Sequence, residues 1–191
     1  MLKNNPSLKG FLFALLAAIM AFAIYFIFLA KPNYYLVDNP TPETYYFSIN
    51  NGDQKILSSG QYLKVDLNKG EKNNIKVFDQ NKKMLYDSAF QVQNQRGLIN
   101  ITHKDYYIFK QFYGYFQDKD SLILAQGSTM IDGKPFLGNI KKTNKLYNED
   151  FYFNIDEDYN KVIKNIDKVE SRTKIFRKQD FINYYKENYK F

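Results

Sequence analysis

The hydrophobic pattern of the chain changes character three times. Residues 10–30 form one apolar run of 21 positions without a charge, Asn, Gln or Pro. A helix of that length spans roughly 30 Å, the hydrocarbon thickness of a bilayer. Lipid offers the backbone no partners, so the run is expected to be helical and to cross the membrane. It is longer than the core of a signal peptide. Cutting at its A-x-A triplet, Ala21-Phe22-Ala23, would leave an apolar new terminus, so an uncleaved anchor is expected.

Residues 31–43 carry Pro32, Pro40 and Pro42, three of the five prolines, and are expected to be a stiff extended linker. From residue 44 to about 155 the signals are those of strands. Leu63, Val65 and Leu67 alternate with Lys64 and Asp66, the period of a half-buried strand. Asn51-Gly52 marks a hairpin turn. Turn signals recur about every 8–12 residues, which predicts an immunoglobulin-like β-sandwich.

After residue 156 the period lengthens. Tyr159, Val162, Ile163, Ile166 and Val169 predict one helix, with Asp156, Glu157 and Asp158 at its start. A second is predicted from about Lys178, with Phe181, Ile182, Tyr185 and Tyr189 on one face, after an extended stretch at 173–177. The organisation expected is thus a tail (1–9), a single N-terminal transmembrane helix (10–30), a linker (31–43), a mainly-β extracytoplasmic domain (44–155) and a C-terminal helical segment (156–191).

Orientation follows from the flanks. Lys3 and Lys9 precede the apolar run and Lys31 alone follows it closely. The positive-inside rule then places the N-terminus in the cytoplasm and the β-domain outside, periplasmic or extracellular. Composition narrows the chemistry. With no cysteine and one histidine, His103, the chain cannot build disulfides, thiol catalysis, Cys-ligated metal or a site of two imidazoles.

The net charge of +7 is uneven. Residues 31–160 hold sixteen basic and sixteen acidic side chains, whereas 161–191 hold nine and four. In an extracytoplasmic segment that excess suits anionic headgroups or an acidic envelope partner, and no nucleic-acid partner is expected. Two candidate interaction surfaces follow. One is the aromatic-rich stretch from Tyr106, through Tyr107, Phe109 and Tyr113, which carries more apolar surface than one sandwich core absorbs. It is either covered by the C-terminal helices or a platform for a partner. The other is the basic set Lys161, Lys164, Arg172, Arg177 and Lys178.

Catalytic and metal motifs are incomplete. Asp156-x-Asp158-x-Asn160 opens like a calcium loop, but Lys161 stands where Gly is required and Asp167 where the bidentate Glu belongs. Gln126-Gly-Ser-Thr-Met lacks the second glycine of a nucleophile elbow. No catalytic, cofactor or metal residue is assigned. The expectation is a non-enzymatic structural or adaptor subunit of a bacterial cell-envelope assembly, in contact with the bilayer and with other envelope proteins. The alternative is an envelope hydrolase working through paired carboxylates such as Glu149 and Asp150.

Overall fold

The structure, a computed structural model, describes residues 6–26, 32–113, 125–159 and 169–189. The chain divides into two units, one ending at Asn33 and one beginning at Tyr34. The first contains helix α1, Pro6–Ile24. Its segment Ser7–Ile24 has a mean hydropathy of 2.1 and none of it is buried. It is long and apolar enough to cross a membrane, a test that signal sequences also pass. Phe13 and Phe22 are 74% and 65% exposed, so no protein surface in this unit covers them.

The second unit is mainly β. Its described residues hold thirteen strands, β1 to β13, and one helix, α2 (Lys178–Asn188). The strands are β1 Tyr34–Asp38, β2 Tyr45–Ile49, β3 Lys55–Leu57, β4 Tyr62–Val65, β5 Lys72–Phe78, β6 Met84–Gln91, β7 Arg96–Asn100, β8 Tyr106–Tyr113, β9 Ser128–Ile131, β10 Lys134–Leu137, β11 Asn139–Thr143, β12 Tyr147–Asn148 and β13 Glu170–Arg177. They form three main sheets: β12-β7-β1-β4, β3-β2-β5-β6 and β11-β8-β13, with β9 and β10 as a separate hairpin.

The sheets stack, and the side-chain alternation of the strands explains how. Odd positions of β1 (Tyr35, Val37) and Ile99 of β7 meet Phe47, Leu57, Ile75 and Val77 of the β3-β2-β5-β6 sheet in one core. Even positions, Leu36 and Leu98, meet Tyr106, Ile108 and Ile175 of the β11-β8-β13 sheet in a second. The far face of that sheet presents Tyr107, Phe109 and Phe176 to the hairpin's Ile131 and Phe136 and to Phe181 and Tyr185 of α2, a third core. Where a two-sheet immunoglobulin-like sandwich is expected from sequence, the unit stacks three sheets, with a helix and hairpin on the outer face of the third.

Layering decides the sequence pattern. The two sheets covered on both faces are built from continuously buried runs such as 35–38 and 106–109. The sheet covered on one face alternates: in β5, Asn73, Ile75 and Val77 are buried, Lys72 is exposed, and Asn74, Lys76 and Phe78 are half-exposed. The β2–β3 hairpin turns through Asn50 and Asn51, both left-handed at φ 50° and 58°, with the Gly52 amide donating to the Ile49 carbonyl at 2.8 Å. Two left-handed central residues match the right-handed twist of the strands they join.

One expected boundary moves. Tyr34–Asp38, placed in the linker, is the strand β1, parallel to β7 and antiparallel to β4 in the middle of its sheet. The prolines bracket it at Pro32, Pro40 and Pro42 and leave its own amides free to pair. In the C-terminal segment the stretch 170–177 is a full strand paired along β8, and α2 begins at Lys178 as expected. The helix expected over 159–169 lies mostly outside the described residues.

Candidate functional site

A cluster of ionisable residues sits where β1 and β13 end and β8 begins. Asp38 is fully buried at the end of β1. It accepts a hydrogen bond from the Tyr106 hydroxyl at 2.5 Å and another from Arg177 Nε at 2.9 Å, and its second oxygen is paired with Arg177 Nη2. The same Nη2 donates to the Gly60 carbonyl at 2.8 Å. Burial, with Asp38 alongside, pushes the Tyr106 hydroxyl far above its ordinary range, so it stays protonated and donates. Burial works against the Arg177 charge, but the Asp38 bonds outweigh it and raise its pKa.

Outside this clasp lies a cleft of about 580 Å³, lined by Pro40–Glu43, Lys104, Asp105, Asp132 and residues 177–180. Some of its charges are paired within the lining or with residues beyond it, Arg177 with Asp38 and the two pairs that follow. Lys178 Nζ lies 2.5 Å from Asp132, and Lys142 Nζ lies 2.8 Å from Asp105. Each of these bonds raises the pKa of its lysine. The cleft thus combines both signs of charge around the start of α2.

The candidate residues from the sequence scatter. Tyr107 and Phe109 are 2% and 3% exposed and lie under α2, with ring centroids 5.5 and 5.8 Å from that of Phe181. They are core and not a contact platform, because the far face of their sheet is capped by α2 and the β9–β10 hairpin. Tyr113 is half-exposed at the end of β8, with the Arg172 guanidinium 5.4 Å from its ring. Arg172 also lies 4.1 Å from the Tyr159 ring centroid and donates to Gln111 Oε1 at 2.8 Å. Arg177 is turned inward to Asp38, which corrects its expected outward position. Lys178 is exposed and paired with Asp132. Lys161 and Lys164 lie outside the described residues.

The weighed catalytic and metal residues have structural tasks. Glu149 accepts the amides of Gln93 and Asn94 at 3.0 and 2.9 Å, fastening the β6–β7 link, while Asp150 pairs with Lys141 at 2.7 Å. Asp156 accepts from the Tyr34 hydroxyl at 2.5 Å, and Glu157 pairs with Arg96. His103 sits in a turn at φ 52° with its ring 5.3 Å from that of Tyr86. Among the described residues no three His, Asp or Glu side chains converge as a metal site.

No family model, curated protein or solved structure matches the chain.

The Asp38–Arg177 pair was not legible in the sequence. Its partners are 139 residues apart, and nothing local to either distinguishes it from a surface charge.

Proposed function

We propose that this chain is a membrane-anchored structural or adaptor subunit of a bacterial cell-envelope assembly, without catalytic activity of its own. The observation that carries the reading is α1, apolar on all sides with every residue of Ser7–Ile24 unburied, preceding a β-unit that closes its own cores. Such a helix is costly in water and stable in lipid. Lys9 before the run orients the β-unit to the outer side of the cytoplasmic membrane. The sheets β12-β7-β1-β4 and β3-β2-β5-β6 are the part that an immunoglobulin-like sandwich would describe.

The absence of enzymatic function is supported by the tasks its carboxylates already have. Asp38, Glu149, Asp150, Asp156 and Glu157 each serve as a hydrogen-bond or ion-pair partner for another segment of the fold. The competing reading, a hydrolase, rests on the cleft, where Asp105, Asp132 and Asp180 line one space. Purification of the tagged full chain from membranes in mild detergent separates them. The adaptor reading expects other envelope proteins in fixed ratio, undiminished by Asp105→Asn, Asp132→Asn and Asp180→Asn together. A chain that purifies alone, and whose cellular role is abolished by those substitutions, would establish the hydrolase instead.

A further inference from the structure

The sheet β3-β2-β5-β6 ends in a strand that has no partner on its outer side among the described residues. β6 is eight residues long and pairs only with β5. The direction of its free groups can be derived. Val92, which continues the strand, donates its amide to the Glu71 carbonyl and accepts from the Gly70 amide, so both its backbone groups face the β5 side. Alternation then turns Phe90, Ser88 and Tyr86 toward β5 and points the N–H and C=O groups of Asp87, Ala89 and Gln91 outward. The Asn74 carbonyl, bonded to the Asn50 amide on the β2 side, fixes the same phase in β5.

Natural sheets guard such edges with short strands, lysines, prolines or cover. The other edges of the three main sheets follow that rule. β3 and β12 have three and two residues, β4 carries Lys64, β11 carries Lys141 and Lys142, and β13 is bridged by Phe153. Residues 84–91 contain no Lys, Arg or Pro and one acid, Asp87. The bulge between Val77 and Phe78 disturbs the strand's first residues and leaves a regular ladder from Tyr86 to Gln91.

We propose that β6 pairs antiparallel with β6 of a second copy of this chain, about a twofold axis at Ala89. The sequence is self-complementary in that register. Ala89 faces its own copy, where a small side chain fits. Asp87 faces Gln91 of the other copy, so carboxylate meets amide on either side of the axis. Ser88 faces Phe90 on the opposite face, and no like charges meet. An axis at Asp87 would set two carboxylates against each other, which excludes that register, whereas the axis at Ala89 pairs all three outward-facing residues, Asp87, Ala89 and Gln91, with one another.

A chain without cysteine makes the test direct. In the full-length protein in its membrane, Ala89→Cys places two thiols on residues whose Cα atoms are about 5.5 Å apart across the pair, within disulfide reach. Asp87→Cys places them about 14 Å apart. Mild oxidation should convert most of the Ala89→Cys chain to a covalent dimer and leave Asp87→Cys at background. Ala89→Lys, on an exposed position, should abolish the dimer in detergent with an unchanged circular-dichroism spectrum. Three results would overturn the inference: no cross-link at Ala89→Cys, equal cross-linking at both positions, or a cross-link only to a different protein.

Discussion

Replacing Phe181 by Ala should destabilise the β-unit by about 3–5 kcal/mol, the range for truncating a buried Phe. The magnitude follows from its position. Phe181 is fully buried, and its ring lies 5.5–5.9 Å from the rings of Tyr107, Phe109, Phe136, Phe176 and Tyr185. Those five residues come from β8, β10, β13 and α2 itself, so the cavity would open between elements that cannot all collapse onto it. An eleven-residue helix is marginal alone, which makes this contact a large part of what holds α2 in place. Phe181→Leu keeps most of the volume and should cost roughly 1–2 kcal/mol. Ile56→Ala, at a position 50% exposed, should stay within about 0.5 kcal/mol. Urea unfolding of the full chain in detergent, followed by circular dichroism, measures all three. A Phe181→Ala loss below about 1 kcal/mol would refute the claim that α2 seals the third core.

Four further outcomes are expected. Arg177→Met should cost about 3–5 kcal/mol, because it removes the cation paired with fully buried Asp38 and leaves the Tyr106 hydroxyl as its side-chain partner; the double variant with Asp38→Asn should recover much of that in the same unfolding assay. Gly97→Ala should destabilise by roughly 1–3 kcal/mol, since its Cβ would stand 2.6 Å from ring carbons of Tyr147, and Tyr147→Ala should blunt the further effect of that substitution in a double-mutant cycle. Burial pushes Tyr184 up to about 12 and raises Tyr86, Tyr106 and Tyr159 as well. Their protonated forms favour the folded state, so that stability is present below pH about 10 and is lost as pH rises toward 12 and beyond; phenolate absorbance should climb together with loss of structure, and full ionisation near pH 10 with structure intact would contradict it. Tyr35→Phe should cost only about 1 kcal/mol, because water can reach the exposed Asn94 carbonyl that the hydroxyl leaves, and a cost above about 2 kcal/mol in the same unfolding assay would contradict that.

The parts of this fold legible in the sequence are those governed by local periodicity. Leu63, Val65 and Leu67 alternate and enter one core, and Phe181 and Tyr185 fall on the buried face of α2. β1 was obscured because its prolines lie just outside it, and because a strand covered on both faces has no alternation to show. The same double burial hides the third layer. The aromatic surplus at Tyr107 and Phe109 was visible, but which element covers it depends on where β13 delivers α2. Arg177 is the sharpest case: it reads as part of a basic tail, and only the meeting of β1 with β13 makes it the partner of Asp38.

The central claim, an anchored chain with its β-unit outside the cytoplasmic membrane, is tested most directly by cysteine accessibility. Asn81→Cys places a single thiol in the exposed β5–β6 turn of an otherwise cysteine-free chain. In intact spheroplasts of a bacterium expressing the full chain, a membrane-impermeant maleimide should label that thiol without lysis. The labelled chain should stay with the membrane through an alkaline carbonate wash. Labelling only after the membrane is broken, or release of the chain by the wash, would contradict the account.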